Sequence, residues 1–295
     1  MKLIRTIYTL GLLAGLFASC SKESPLDGEQ YYKQVYIVGA YEVVQQFDVA
    51  YGDGSQNAYV AVATGGSQNI DRNVEVVLTH NDATIEWYNN KYMLDAPLKY
   101  QKLDDQFCSF PSMSTTIKAG DVYSRLPFTV ETSELDCDKL YALTFKIESV
   151  SDYVKQPKDT VLIMNLNLTN DFSGTYQMVA IRYTLTDNDE ELTPSSVNMQ
   201  RTLKAVNKNQ ARFFNVTQNS DLSPTGNITS EDYFNSIDNN GVTFTRQPDG
   251  TFTVAGWKNL PVSNGTVSFE DGTFTFCYDY ESGGKRYRLR GTMTK

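Results

Sequence analysis

Histidine is nearly absent from this sequence. Its 295 residues carry one, His80. A metal site built on imidazoles needs several, and nothing sits at a suitable spacing to help it. A Ser-His-Asp arrangement could be centred on one histidine, but no Gly-x-Ser-x-Gly turn is present to raise a nucleophile. His80 follows a predicted strand in Leu78-Thr79-His80-Asn81-Asp82 and reads as a surface turn residue. Positive charge is also short, with 26 Lys and Arg against 35 Asp and Glu and a net charge of −9. Such a surface repels nucleic-acid phosphates and offers no polybasic patch to anionic lipid. Past the N-terminus no stretch approaches the roughly 18 apolar residues that a membrane-spanning helix requires. Tryptophan is limited to two residues and cysteine to four.

The first of those cysteines is the most informative. Met1 to Ser19 carries Lys2 and Arg5, then the apolar run Leu10 to Phe17, then the small residues Ala18 and Ser19 before Cys20. A charged start, a short apolar stretch and a small-residue cut site form a secretory signal. The run is too short to span a bilayer of about 30 Å permanently. A cysteine directly after the cut resembles the bacterial lipobox, although Phe17 stands where leucine is usual. That resemblance implies removal of residues 1–19 and diacylation of Cys20. Losing Lys2 and Arg5 leaves the mature chain near a net charge of about −11. The polar stretch Ser21 to Glu29 cannot bury much and reads as part of a flexible tether over residues 20–30. Within it, Lys22-Glu23 resembles the short signal that sends Bacteroidetes-type lipoproteins to the outer face of the outer membrane.

What the chain has in quantity is aromatic residues, with 19 Tyr and 15 Phe. Together with abundant Thr, Val and Asn they favour strands and turns over helices. Period-two alternation recurs through the first half: Val60 and Val62; Val74, Val76 and Leu78; Leu143, Phe145 and Ile147; Leu162, Met164, Leu166 and Leu168. Gly52-Asp53-Gly54, Gly65-Gly66 and Ala119-Gly120-Asp121 separate the runs. Seven or so strands predict a two-sheet sandwich over residues 31–169. After Thr169-Asn170-Asp171 a second series begins, with Val179, Ile181, Tyr183 and Leu185, then Phe252 and Val254, then Val267 and Phe269. Asp271-Gly272 and Gly283-Gly284 predict tight hairpins before Phe274, Phe276, Tyr278, Tyr280 and before Tyr287, Leu289, Gly291. Sequential hairpins favour an up-and-down antiparallel sheet curling toward a barrel over residues 170–295. One short helix is expected near Ser230 to Ile237, capped by Ser230. The fold class is therefore all-β.

The order of several loose motifs resembles a known family. Phe47-Asp48-Val49-Ala50-Tyr51, Val60-Ala61-Val62, Asp71 to Val76, Tyr88-Asn89-Asn90, Ile117 to Gly120 and Leu140 to Val150 resemble an immunoglobulin-like N-terminal domain. That domain occurs in Bacteroidetes outer-membrane lipoproteins of polysaccharide-utilisation systems. Phe172-Ser173-Gly174-Thr175-Tyr176 opens a half similar to the lipocalin-like C-terminal domain often paired with it. The resemblance implies a surface protein that captures glycan or supports a neighbouring importer. It implies no catalytic residues and transfers no ligand contacts; no cofactor is expected.

The chemistry-bearing residues are few. Asp104-Asp105 and Asp189-Glu190-Glu191 are acid pairs in solvated loop settings, without the apolar pocket that would raise an acid's pKa. Asp187 to Glu191 lacks the spaced loop with a central glycine that calcium favours, so no metal is expected. A sugar needs flat apolar faces beside hydrogen-bonding groups. Trp257, after Gly256 and beside Lys258 and Asn259, is the best single candidate, with a core or barrel-end tryptophan the commoner outcome. Trp87 and Tyr88, near Tyr92, form a second candidate, with packing the favoured role for Tyr88-Asn89. Arg286, Arg288 and Arg290 share one face of the last strand and could grip acidic sugars, although a charge-protected edge strand is more common. Cys108 and Cys137 could form a disulfide in an oxidising compartment, with Cys277 left over. Three reduced thiols fit equally.

The reading is a non-enzymatic, lipid-anchored protein at the cell exterior whose partners are polysaccharides or oligosaccharides and, through its setting, an outer-membrane importer complex. Its contact with the membrane is the lipid alone. The Ig-like half is expected to act as spacer and platform, and the barrel half to carry any ligand groove. The alternative is a structural, assembly or adhesion component that touches no sugar.

Overall fold

The computed structural model describes residues 29–295. The signal peptide, Cys20 and all but the last two residues of the tether lie outside the described residues. Eleven strands build a sandwich: β1 (Gln34–Ile37), β2 (Val44–Ala50), β3 (Ser55–Gly65), β4 (Val74–Thr79), β5 (Tyr100–Lys102), β6 (Cys108–Ser109), β7 (Ser114–Ile117), β8 (Tyr123–Glu131), β9 (Leu140–Val150), β10 (Val154–Lys155) and β11 (Val161–Thr169). One sheet runs β10-β1-β3-β8-β6. The other runs β2-β11-β9-β4-β7, with β5 added beside β9. The alternation seen in the sequence turns Val60, Val62, Val74, Val76, Leu78, Phe145, Ile147 and Leu162 into the layer between the sheets, where all are buried. Strands exceed the expected seven because several are edge pieces of two to four residues, too short to leave a periodic signature.

Eight strands then form a closed barrel in sequence order: β12 (Gly174–Leu185), β13 (Glu191–Asn207), β14 (Gln210–Phe214), β15 (Gly241–Arg246), β16 (Phe252–Gly256), β17 (Val262–Glu270), β18 (Thr273–Ser282) and β19 (Lys285–Thr294). Every neighbouring pair is antiparallel, and β12 closes on β19 from Gln177↔Thr294 to Thr184↔Tyr287. Asp271 and Gly272 both hold positive φ between β17 and β18, as do Gly283 and Gly284 between β18 and β19. Such backbone matches the twist of the paired strands. The ring closes tightly where Gly291 faces Ala180, because a Cβ at Gly291 would collide with Ala180 and the Val179 carbonyl.

Two α-helices are present among the described residues. Helix α1 (Ala83–Tyr92) lies against the outer face of the second sheet, with Ile85 buried beside Ala142 and Ile163. The sequence reading did not foresee it. Helix α2 (Ser230–Asn240) extends the expected Ser230–Ile237 segment by three residues. Its cap is Thr229, not Ser230: the Thr229 hydroxyl accepts from the Asp232 amide at 3.0 Å. No helix among the described residues is long and apolar enough to cross a membrane.

The two halves dock through the outer wall of the barrel. Lys204 on β13 and Arg212 on β14 are partners in register and point away from the barrel core. Both reach Asp138, in the turn before β9, which accepts from Arg212 Nη1 and Nη2 at 2.9 and 2.5 Å and lies 3.4 Å from Lys204 Nζ. Beside this cluster Leu98 and Leu140 of the sandwich meet Tyr233, Ile237, Phe214 and Trp257. The Leu98 amide donates to the Pro224 carbonyl at 3.2 Å, and the Ser230 hydroxyl to the Pro97 carbonyl at 2.9 Å.

Candidate functional site

The barrel lumen is filled by side chains, so a groove on this half can lie only on its outer wall. Tyr176, Phe213, Phe244, Phe274, Phe276, Tyr278 and Leu289 fill it from β12, β14, β15, β18 and β19, all buried. Near one end sits a buried arginine. The Arg201 guanidinium donates to the Asn215 carbonyl at 3.3 Å and to the Gln218 carbonyl, and lies 3.5 Å from Asp221. The Tyr278 hydroxyl donates to Asn215 Oδ1 at 2.9 Å in the same layer. Burial lowers the Arg201 pKa and keeps the Tyr278 phenol protonated far above the usual range. This is a packed, internally bonded core.

Trp257 does not face an open groove. It packs with Tyr233, Phe214 and Leu98 at the junction of the halves, with the Arg212 guanidinium 4.6 Å from its ring centre. The arginine stripe of β19 is likewise paired. Arg286 meets Asp189 at 2.6 Å, Arg288 meets Asp279 at 2.7 Å and Glu191 at 3.3 Å, and Arg290 meets Glu191 at 2.6 Å. Burial would raise the Asp279 pKa, but Arg288 and Asn264 outweigh it and hold the carboxyl below the usual range. Three cations with three acids beside them have little left for an acidic sugar. The partners come from the β12–β13 hairpin and from β18, which the spacing of the arginines alone does not reveal.

Cys108 and Cys137 are both free thiols, which corrects the bridge considered from sequence. Cys108 sits on β6, paired with Val130, whereas Cys137 is buried in the turn facing the barrel. Asp136, Cys137 and Asp138 bring their ligand atoms within 4.8 Å of one another. They do not suit a cation. Arg212 and Lys204 already hold Asp138, and burial lifts the Cys137 thiol to about 11. A cavity of about 670 Å³ opens beside them between the halves, lined by Lys139, Asn165, Asn167, Lys204, Arg212 and Tyr233 among others. Its aromatic side chains are committed to packing, so it offers polar contacts without an open ring face.

Helix α1 carries open ring faces. Tyr88 is half-buried against Val43, Val44 and Tyr100, and Asn89 exchanges two hydrogen bonds with the Tyr100 backbone, at 2.7 and 3.1 Å. These residues hold the helix to the sheet. Trp87 and Tyr92 point outward, 46% and 56% exposed, edge to face with centres 5.8 Å apart. Lys91 Nζ stands 5.1 and 5.0 Å from the two rings. At the foot of Trp87 lies a depression of about 400 Å³, lined by Asn81, Thr84, Lys158, Val43 and Val161. An apolar ring next to an amide, a hydroxyl and an ammonium is the combination a pyranose requires. The structure brings together the three rings named from the sequence: Tyr88 lies 6.4 Å from Trp87 and 4.9 Å from Tyr92, taking the packing role, while Trp87 and Tyr92 are the exposed pair.

The comparisons with known proteins agree with this architecture. A family model for an N-terminal domain matches residues 31–154, and one for a C-terminal domain matches residues 160–294. The chain shares its two-domain fold with solved Bacteroides proteins. A protein of unknown function from Bacteroides ovatus matches with a TM-score of 0.59 at 17% identity, covering 89% of this chain and 94% of that one. An auxiliary nutrient binding protein from Bacteroides thetaiotaomicron matches with a TM-score of 0.56 at 17% identity, covering 85% and 90%. A multidomain protein from Bacteroides ovatus that includes a domain of unknown function gives 0.56 at 16% identity, covering 89% and 94%. No curated protein matches the chain. The second family match begins at residue 160 and so takes in β11, a strand that pairs with β2 and β9 inside the sandwich.

Proposed function

We propose that this chain is a non-catalytic glycan-capture protein, held by a lipid on Cys20 at the outer surface of a Bacteroidetes-type outer membrane. One observation carries the binding half of this reading: the exposed Trp87 ring beside the Asn81–Thr84–Lys158 depression, with Tyr92 extending the apolar face. The signal and cysteine pattern supports the anchor, and the nutrient-binding name of one fold relative fits the role. The barrel, filled and bonded to the sandwich through Asp138, buttresses the half that carries the helix face. Service beside an importer follows from the same setting.

Isothermal titration of residues 21–295 against a panel of polysaccharides tests the reading. At least one glycan is expected to bind. Trp87→Ala should weaken that binding by roughly 1–3 kcal/mol, in the range measured for stacked rings on aromatic side chains. Trp257→Phe should leave it unchanged. Absence of binding across the panel would favour the structural or assembly role instead.

A further inference from the structure

We infer that the solvent face of the β1-β3-β8 sheet is a second binding surface, for a polysaccharide that carries carboxylate groups. The inference rests on the capture reading for its ligand class, but on different residues. Val35, Ile37, Ala58, Val60, Val62, Leu126 and Phe128 point into the sandwich and are buried. Alternation therefore turns Tyr36, Tyr59, Ala61, Ala63, Tyr123 and Arg125 to the other face. The register sets their layout. Tyr36 pairs with Ala63, and Ala63 with Tyr123, so two tyrosines stand on either side of an alanine. At the usual strand spacing they are about 10 Å apart. Ala61 pairs with Arg125, and Tyr59 lies four residues, about 13 Å, along β3 from Ala63. The result is a trough with an alanine floor and tyrosine walls, continuous with a cavity of about 410 Å³ that reaches Gln45 and Thr64.

Arg125 gives the trough its charge. Its guanidinium lies 4.3 Å from the Tyr59 ring centre and 5.7 Å from that of Tyr123. Arg72, Arg201, Arg212, Arg246, Arg286, Arg288 and Arg290 each have a carboxylate within 4 Å, and among the described residues only Arg125 and Arg182 have none; Arg182 instead donates to the Ser195 hydroxyl at 3.3 Å. Acids outnumber bases 35 to 26 in this chain, and of the two arginines without an acid only Arg125 is itself exposed between exposed rings, Arg182 being half-buried beside Tyr287. A guanidinium held flat by aromatic rings presents its N–H edge in a fixed plane, which suits bidentate contact with a carboxylate. A uronate unit supplies both complements: a C–H face for the tyrosines and a carboxylate for Arg125.

Polygalacturonate and its fully methyl-esterified form test the charge requirement on one backbone, with alginate and hyaluronan as further acid polymers. The full chain should bind at least one acid polymer. It should bind polygalacturonate roughly tenfold more tightly than the ester if that is the polymer taken, the worth of one charge-assisted bidentate contact. Arg125→Gln should lose that margin and leave neutral-polymer binding unchanged, while Tyr123→Ala weakens acid binding with the thermal transition intact. Trp87→Ala should leave the Arg125-dependent margin in place, which separates this surface from the one on α1. Failure to bind any of the three acid polymers, or equal loss of acid and neutral binding in Arg125→Gln, overturns the inference.

Discussion

Asp138 joins the two halves of the molecule. Its carboxylate is mostly buried and meets Arg212 and Lys204 across the junction. Burial alone would raise its pKa, but the two cations outweigh it and hold it below the usual value of 3.8. A group depressed in the folded state adds stability above its unfolded pKa, and that stability is lost as pH falls through the folded value. Arg212 is almost fully buried, so removing its partner strands a charge. Asp138→Asn is expected to destabilise the protein by about 3 kcal/mol at pH 7 in urea unfolding. The gap from wild type should narrow as pH falls below about 3.8. An equal gap at pH 7 and at pH 2.5 would show that ionisation of Asp138 contributes nothing. Nothing in the sequence linked residues 138 and 212, which stand 74 positions apart. Contacts of that kind depend on how two domains meet, and local pattern is silent on it. Arg286 and Arg288 were legible as a shared face but not as a paired one, because their partners come from the β12–β13 hairpin and β18 within the same barrel, far off in sequence or across a strand pairing.

At the level of elements, what could be read was whatever the backbone period writes into side-chain order. Leu143, Phe145 and Ile147 alternate because β9 has one face in the core, and Asp271-Gly272 turns because both residues take positive φ. Helix α1 escaped detection because only Ile85 is fully buried, which leaves no apolar stripe to read. The barrel's closure was legible only as a tendency to curl. Its seam depends on Gly291 meeting Ala180 and the Val179 carbonyl without a Cβ in the way. Gly291→Ala should therefore cost about 1–3 kcal/mol through overpacking, read as a lower urea midpoint with unchanged slope. A neutral result would mean that the β12–β19 seam can open to admit a methyl group.

For the whole molecule, the barrel lumen is filled and the exposed rings lie on the sandwich, so the proposed capture site falls on the half expected to act as spacer and platform. The two tryptophans report on this directly, since Trp87 is half-exposed on α1 while Trp257 is packed at the junction under Arg212. The most direct measurement is intrinsic tryptophan fluorescence of residues 21–295 during titration with a bound polysaccharide. A ring covered by sugar should change its emission, and the change should survive in Trp257→Phe and vanish in Trp87→Phe. A response that follows Trp257 instead would contradict the claim that the helix face of the sandwich holds the glycan.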